Sequence, residues 1–325
     1  MSGDLGAEVV VRAASAVLEE HANLELILVG DEDELRDLVT RICGNESRLS
    51  IVHASEVVEM SESPVDALRK KKDSSMRVAI NLVKDGTAEA CVSAGNTGAL
   101  MATAKFVLKM LPGIDRPAII TELPANGGTI HMLDLGANTV CTAEHLFQFA
   151  VMGSIVTTDI TGIESPRVAL LNIGAEDTKG HGTVKDAAAM LTASSLNYVG
   201  FIEGSELFSG NTDVVVTDGF TGNVALKTME GTVGLISRYL RRAFTRNWFA
   251  KLQALLARPV LRSLKLETDP RNYNGATLVG LNGIVIKSHG SADSYAFQHA
   301  IDTAVVEVQN QVPKQIGRLL QRETA

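Results

Sequence analysis

The sequence predicts an α/β protein, a mainly parallel sheet sandwiched by helices with a basic helical arm protruding from it. Three observations carry this reading. Short apolar runs alternate along the 325 residues with longer segments of helical periodicity. The runs are rich in Val and Ile without strict polar alternation, the pattern of strands buried on both faces. The stretch Gly231 to Leu266 holds eight Lys and Arg residues and no Asp or Glu.

Strands are predicted at Leu24 to Gly30, Leu49 to His53, Ala88 to Ser93, Ala118 to Leu123, Thr129 to Leu135, Val168 to Ile173, Tyr198 to Ile202, Val214 to Thr217 and Ile284 to Lys287. Helices are predicted at Glu8 to Glu20, Glu32 to Ile42, Ser63 to Val83, Thr97 to Leu111, Ala143 to Met152, Val184 to Ser194, Val224 to Asn247 and Ala292 to Gln311. Ser63-Pro64 sets an N-cap before a proline at the first helical position, and Pro112-Gly113 ends the helix before it. There is no low-complexity linker or fixed-period repeat. The chain reads as one α/β domain over 1–325, divisible at most into two subdomains, with the arm at 224–272 inside it.

A composition of 45% apolar residues, 21% charged residues and 28 glycines excludes a disordered chain, a disulfide scaffold and a collagen-like repeat. The net charge of −8 comes from 30 Lys and Arg against 38 Asp and Glu. Removing the eight cations of the Gly231 to Leu266 stretch leaves 22 against 38, so a −16 body carries a +8 segment. Such asymmetry points to an anionic partner. Three cysteines without CxxC spacing suit a reducing compartment, and a cytoplasmic location is expected. The N-terminal residues lack the basic and apolar regions of a signal peptide, and no apolar run approaches the roughly 20 residues that span a bilayer.

The chemistry is carried by five Gly-rich polar loops between a strand and a helix: Ser93 to Ala99, Asp134 to Asn138, Asn172 to Gly180, Asp218 to Asn223 and Lys287 to Asp293. Glycine admits close backbone approach, and first-turn N–H groups present positive charge to an anion. The loops are expected to gather at the carboxyl ends of the strands around a phosphate or acyl-phosphate site. No GxxxxGK[ST] is present, nor a GxGxxG followed by an acidic residue about twenty positions on, so ATP and NAD lose ground. No metal or cofactor is expected, and His21, His53, His181 and His299 show no ligand spacing.

Several segments together closely resemble the bacterial phosphate acyltransferase family, PlsX. They are Ala54 to Pro64, Arg69 to Ser75, Ser93 to Ala99, Asp134 to Asn138, Asp218 to Lys227, Arg246 to Trp248, Tyr273 to Ala276 and Val285 to Asp293. The likeness runs from Gly3 to about Val306. It implies a fold like that of isocitrate and isopropylmalate dehydrogenases and phosphotransacetylase. It also implies an enzyme that converts acyl-[acyl carrier protein] and inorganic phosphate into acyl phosphate and free carrier protein for phospholipid synthesis. The family typically begins with a β-strand ending in Asp-Ala-Met-Gly-Gly-Asp, whereas this sequence reads Met1-Ser-Gly-Asp4. A missing central strand and unpaired sheet edges are expected here.

On this reading the phosphate needs positioning more than activation. Lys179 and Lys287 are candidates to neutralise it. Asn96, Thr97, Asn138 and Asn223, with the backbone around Ser93, Gly95, Gly98, Gly222, Ser288 and Gly290, are candidates to bind phosphate or the thioester oxygen. His289 either protonates the departing thiolate or hydrogen-bonds a loop carbonyl. Cys91 and Cys141 lack a nearby base and read as structural; His131 and His145 read as packing or helix-surface residues. Arg241, Arg242, Arg246, Trp248, Lys251, Leu255, Leu256, Arg258 and Arg262 are candidates to contact an acidic carrier protein or anionic lipid, with a dimer-forming helix pair as the third reading. A homodimer and peripheral contact with a membrane and a downstream membrane acyltransferase are expected partners; nucleic acid is not. Rival functions are a phosphotransacetylase-like enzyme using acyl-CoA and a membrane-associated scaffold for lipid synthesis.

Overall fold

A computed structural model describes residues 3–176, 178–267 and 269–323. Met1, Ser2, Asp177 and Thr268, which belong to segments singled out above, lie outside the described residues, as does the side chain of Lys265. In chain order the elements are α1 (Ala7–Glu20), β1 (Leu26–Gly30), α2 (Glu32–Ile42), β2 (Leu49–His53), α3 (Pro64–Lys70), α4 (Ser75–Lys84), β3 (Ala90–Ser93), α5 (Thr97–Leu108), β4 (Ala118–Ala125), β5 (Gly128–Leu133) and α6 (Ala143–Thr161). There follow β6 (Val168–Leu171), α7 (Gly182–Thr192), β7 (Tyr198–Ile202), β8 (Val214–Val216), α8 (Gly219–Thr245), α9 (Trp248–Leu256), α10 (Arg258–Glu267), β9 (Ala276–Val279), β10 (Ile284–Lys287), α11 (Ser294–Asn310) and α12 (Val312–Glu323).

Eight strands form one sheet in the order β3-β10-β9-β4-β5-β8-β6-β7, and β1 pairs with β2 in a separate parallel pair. The sheet is mainly parallel, with helices on both faces. One face packs on α6, α7 and α12 through residues such as Leu146, Phe149, Leu191 and Ile316. The other packs on α4, α5 and the start of α8 through Ile80, Leu100, Ala225 and Leu226. α6 extends well past the predicted Met152 because its sequence is apolar nearly all round, and such a helix is stable only when enclosed.

Two departures reshape the site. The predicted helix Ser63 to Val83 is two helices, because Ser74 turns its hydroxyl to accept from the Arg77 N–H and starts a new N-cap. More consequentially, β9 and the β4–β5 hairpin are antiparallel joints within the sheet. β4 and β5 are joined by the two residues Asn126-Gly127, with Gly127 at φ 81°. As a result β3, β10 and β4 run one way and β9, β5, β8, β6 and β7 the other.

Among the described residues β1 pairs only with β2, and β3 only with β10. A cavity of about 1000 Å³ lies between these two strands, lined by Leu24 to Val29 on one side and Thr87 to Ala94 on the other. The 27-residue α8 leaves the body and continues into α9 and α10, where Ala250 is the buried side chain among those described.

Candidate active site

The strand directions split the Gly-rich loops into two groups, which corrects the expectation that all five share one edge of the sheet. The loops after β3 and β10 leave at one end; those after β5, β8 and β6 leave at the other. The reversal comes from the antiparallel joints and has no counterpart in the strand sequences themselves.

At the first end, Ser288 N–H donates to the Ser93 carbonyl at 2.9 Å, and Asp4 N–H donates to the Gly290 carbonyl at 2.8 Å. Asn274, absent from the predicted site, ties this group together. Its Nδ2 donates to Ser288 Oγ at 2.8 Å and to the Ala296 carbonyl at 2.7 Å, and its Oδ1 accepts from His289 N–H at 3.0 Å. Asn96 caps α5 by accepting from Ala99 N–H at 3.0 Å. The Asn96 Nδ2 donates to the carbonyls of Met60 and Glu62 at 2.8 and 3.0 Å. The remaining first-turn N–H groups of α5, at Thr97 and Gly98, have no intrahelical acceptor and carry the positive end of the helix dipole.

At the second end, the buried Asp134 carboxylate accepts four hydrogen bonds. They come from the N–H groups of Ile119, Ala137 and Asn138 and from Asn138 Nδ2. Burial nonetheless pushes its pKa above the ordinary value, with these donors opposing the shift. Gly219 and Gly222 seat α8 directly on this loop. A Cβ at Gly219 would meet Asp134 Oδ2 and the Asn138 carbonyl, each at 2.7 Å. The Asp218 carboxylate caps α8 by accepting from Thr221 N–H at 2.9 Å. Asn223 lies exposed beside Gly136.

α8 joins the two ends, since it starts at the second loop group and folds back along the sheet face. Lys287, largely buried at the end of β10, is close enough to Lys227 of α8 for the second cation to depress it. Burial is the larger cause, and together they bring Lys287 down to about 8, against the opposing pull of Asp4. Its Nζ donates to the Ser288 carbonyl. A buried ammonium flanked by helix N-termini and a second cation is a site that an anion stabilises.

The predicted residues therefore fall into distinct sets. Ser93, Gly95, Asn96, Thr97, Gly98, Lys287, Ser288, His289 and Gly290 come together at the first end. Asn138, Gly222 and Asn223 come together at the second. Lys179 stands exposed on the loop after β6, where its carbonyl accepts from Asn172 Nδ2 at 3.3 Å. The side-chain amides expected on phosphate are otherwise engaged. Asn138 Nδ2 is taken up by Asp134 and the Pro117 carbonyl, Asn96 Nδ2 by the 59–62 segment, and Ser288 Oγ is fully buried against Asn274. These contacts brace the loops, and backbone N–H groups, Lys287 and the exposed Asn223 are among the groups that remain candidates to face an anion. Arg116 and Lys227 escaped the sequence reading. Arg116 sits near Cys141 at the second end, and only the fold brings it there.

Burial pushes the Cys91 thiol up to about 12, and burial with the charges of Asp134 and Asp218 pushes Cys141 up to about 11. Neither is a nucleophile at neutral pH. His145 closes a capping box with Thr142, and His131 is buried, its pKa pushed down to about 4. His289 places Nδ1 2.8 Å from Ser291 Oγ on the exposed side of the first loop group.

A sequence profile described as "fatty acid synthesis protein" matches residues 1–315. The chain belongs to this family. The chain is 60% identical over 322 residues to a phosphate acyltransferase of Alkalilimnicola ehrlichii, covering 99% of this chain and 94% of the relative. It is 56% identical over 324 residues to one of Halorhodospira halophila, with the same coverages. Among solved structures, a phosphotransacetylase from Streptococcus pyogenes superposes with a TM-score of 0.63 at 20% identity, over 94% of this chain and 92% of that one. A branched-chain phosphotransacylase from Enterococcus faecalis superposes at 0.60 and 17% identity, over 94% and 97%. These likenesses place the chain on the same α/β architecture.

Outside the loops, the arm exposes apolar and basic side chains along one continuous stretch. Trp248 is 78% exposed and Leu256 76%, with Leu252, Leu255 and Val260 also exposed. Arg241, Arg242, Arg246, Lys251, Arg258 and Arg262 lie among them, and none forms an ion pair among the described residues. No helix among the described residues is long and apolar enough to cross a membrane.

Proposed function

We propose that this protein joins inorganic phosphate to the acyl group of an acyl-[acyl carrier protein], releasing acyl phosphate and free carrier protein for phospholipid synthesis. The observation that carries the reading is the largely buried Lys287 beside the first turn of α5, with Lys227, ion-paired to Glu230 on α8, near enough to act on it electrostatically. Phosphate bound there meets an ammonium, backbone N–H groups and a helix dipole in a partly water-excluded place.

The chemistry then follows from positioning. An oxygen of hydrogen phosphate attacks the thioester carbonyl carbon, the carbon–sulfur bond breaks, and the proton of hydrogen phosphate ends on the departing sulfur. His289 has Nδ1 engaged by Ser291, so its Nε2 is the nitrogen suited to relay that proton. The first-turn N–H groups of α5 stabilise the carbonyl oxygen as charge develops on it.

The arm serves the substrates. Arg241, Arg242 and Arg246 on α8 and its C-cap suit the acidic helices of a carrier protein, while Trp248, Leu255 and Leu256, flanked by Lys251, Arg258 and Arg262, suit an anionic membrane surface. Peripheral attachment would deliver acyl phosphate to a membrane acyltransferase, and a homodimer would cover the apolar stripe of α8. The test is mass spectrometry of the protein mixed with acyl-[acyl carrier protein]. Acyl phosphate and free carrier thiol appear only with phosphate present. Product from acetyl-CoA but not from the carrier thioester would overturn the substrate assignment.

A further inference from the structure

We infer that the junction of α1 and α11 is a binding site for a divalent transition-metal ion of the zinc class. Glu20 ends α1, His21 is its C-cap, and Asp302 lies on α11. Sequence spacing gave these residues no common role, being some 280 positions apart, yet α1 and α11 pack side by side. One ligand atom from each of the three lies within 4.8 Å of the others.

The geometry within the cluster is that of a site already shaped. His21 Nε2 is 3.0 Å from Asp302 Oδ1. Gln298 Nε2 donates to Glu20 Oε1 at 2.8 Å and holds that carboxylate against α11. His299 places Nδ1 4.0 Å from the other oxygen of Asp302, and Tyr295 sets the His299 ring by an edge-on contact at 4.7 Å. Gln298 is the outer support here, since it orients the exposed Glu20 carboxylate.

One further observation points to a cation. Among the described residues no Lys or Arg forms an ion pair with Glu20 or Asp302, so two carboxylates converge with only imidazoles and the Gln298 amide for company. His299 stays outside the ligand set: Nδ1 is its nitrogen nearest Asp302, at 4.0 Å, and its side chain is 32% exposed. One imidazole with two carboxylates is a mixed nitrogen and oxygen set. It favours a borderline ion such as Zn²⁺ or Co²⁺ over Ca²⁺ or Mg²⁺, which take all-oxygen shells.

The ion would staple α1 to α11. α1 carries the Gly3–Asp4 segment that meets Gly290, and α11 follows the Lys287 loop, so the staple fixes both flanks of the first loop group. The site lies about nine residues, or about 13 Å of helix, beyond the Asp293 cap, clear of the reacting groups.

The experiment strips the protein with a chelator, exchanges the buffer, and titrates with ZnCl₂ by calorimetry and with CoCl₂ by visible absorption. One equivalent binds, Co²⁺ gives a ligand-field band, and a ZnCl₂ excess of about a hundredfold over Kd raises Tm by about 4 °C. Glu20→Gln, His21→Gln and Asp302→Asn each weaken Zn²⁺ by at least about tenfold, while His299→Gln weakens it less. Glu19→Gln, on the exposed neighbour, leaves binding unchanged. Matching metal-free melting curves show which variants remain folded. Absence of a stoichiometric ion at millimolar ZnCl₂, or affinities in all three ligand variants equal to the parent's, overturns the assignment.

Discussion

A methyl group at Gly222 would stand 1.9 Å from the carbonyl oxygen of Asp134. The contact welds the first turn of α8 to the loop after β5, and the Asp134 carboxylate, accepting four hydrogen bonds, holds that loop in turn. Gly222→Ala must push α8 off its seat. It is expected to cost about 1–3 kcal/mol in denaturant unfolding and to lower turnover, because Asn223 and Lys227 shift with the helix. Parent-like stability and turnover would show that the two backbones do not approach this closely.

Lys287 is expected to give the activity an alkaline limb. Its folded pKa of about 8 lies below the ordinary 10.5, so the free enzyme loses the ammonium as pH rises through about 8. kcat/KM for phosphate is expected to fall above that pH, and in Lys287→Gln to be low and flat. Stability moves the opposite way. Between about 8 and 10.5 the unfolded chain holds a proton that the folded chain has released, so this group's contribution to stability rises with pH across that window. A kcat/KM profile flat to pH 10 in the parent would remove Lys287 from phosphate binding.

Glu307 supplies the reverse case. It is fully buried, accepts from Thr277 Oγ1, and is raised to about 7, first by burial and then by the nearby Asp159. The folded chain keeps its proton where the unfolded chain, at 4.5, has lost it, so this group costs stability as pH climbs from about 4.5 to 7. Glu307→Gln keeps an acceptor for Thr277 and has no charge to bury. Its unfolding free energy should gain on the parent across that window by up to about 3 kcal/mol, and parallel pH curves would show that Glu307 is ionised without penalty.

For the arm, flotation with liposomes is decisive. Replacing Arg258 and Arg262 by Gln is expected to reduce partitioning onto anionic vesicles at low salt, and Trp248→Ala to reduce it at all salt concentrations. Equal partitioning of parent and variants would leave carrier-protein docking as the arm's use.

Nine of the ten strands among the described residues were legible because each buried run stands out in apolar content, while β9 (Ala276–Val279) went unpredicted. Their directions were not. Asn126-Gly127, a two-residue hairpin signal, was the one local clue that β5 returns antiparallel on β4, and β9 is only four residues behind a Tyr-Asn-Gly turn. The candidate loops were legible by composition, yet Asn96 and Asn138 look alike in sequence whether they bind a ligand or cap and brace a loop. Only the partners of their amides decide it. Arg116, Lys227 and Asn274 join the site through tertiary placement, as do His21 and Asp302 at the helix junction, and no spacing rule reaches that far.

The cavity between β1 and β3 has a consequence for handling the protein in solution. Backbone N–H and C=O groups along two facing strand borders are a template for any extended segment that enters. At high concentration a neighbouring chain can supply one, so light scattering should show association that grows with protein concentration and resists salt, the mark of backbone pairing and not of the charged arm.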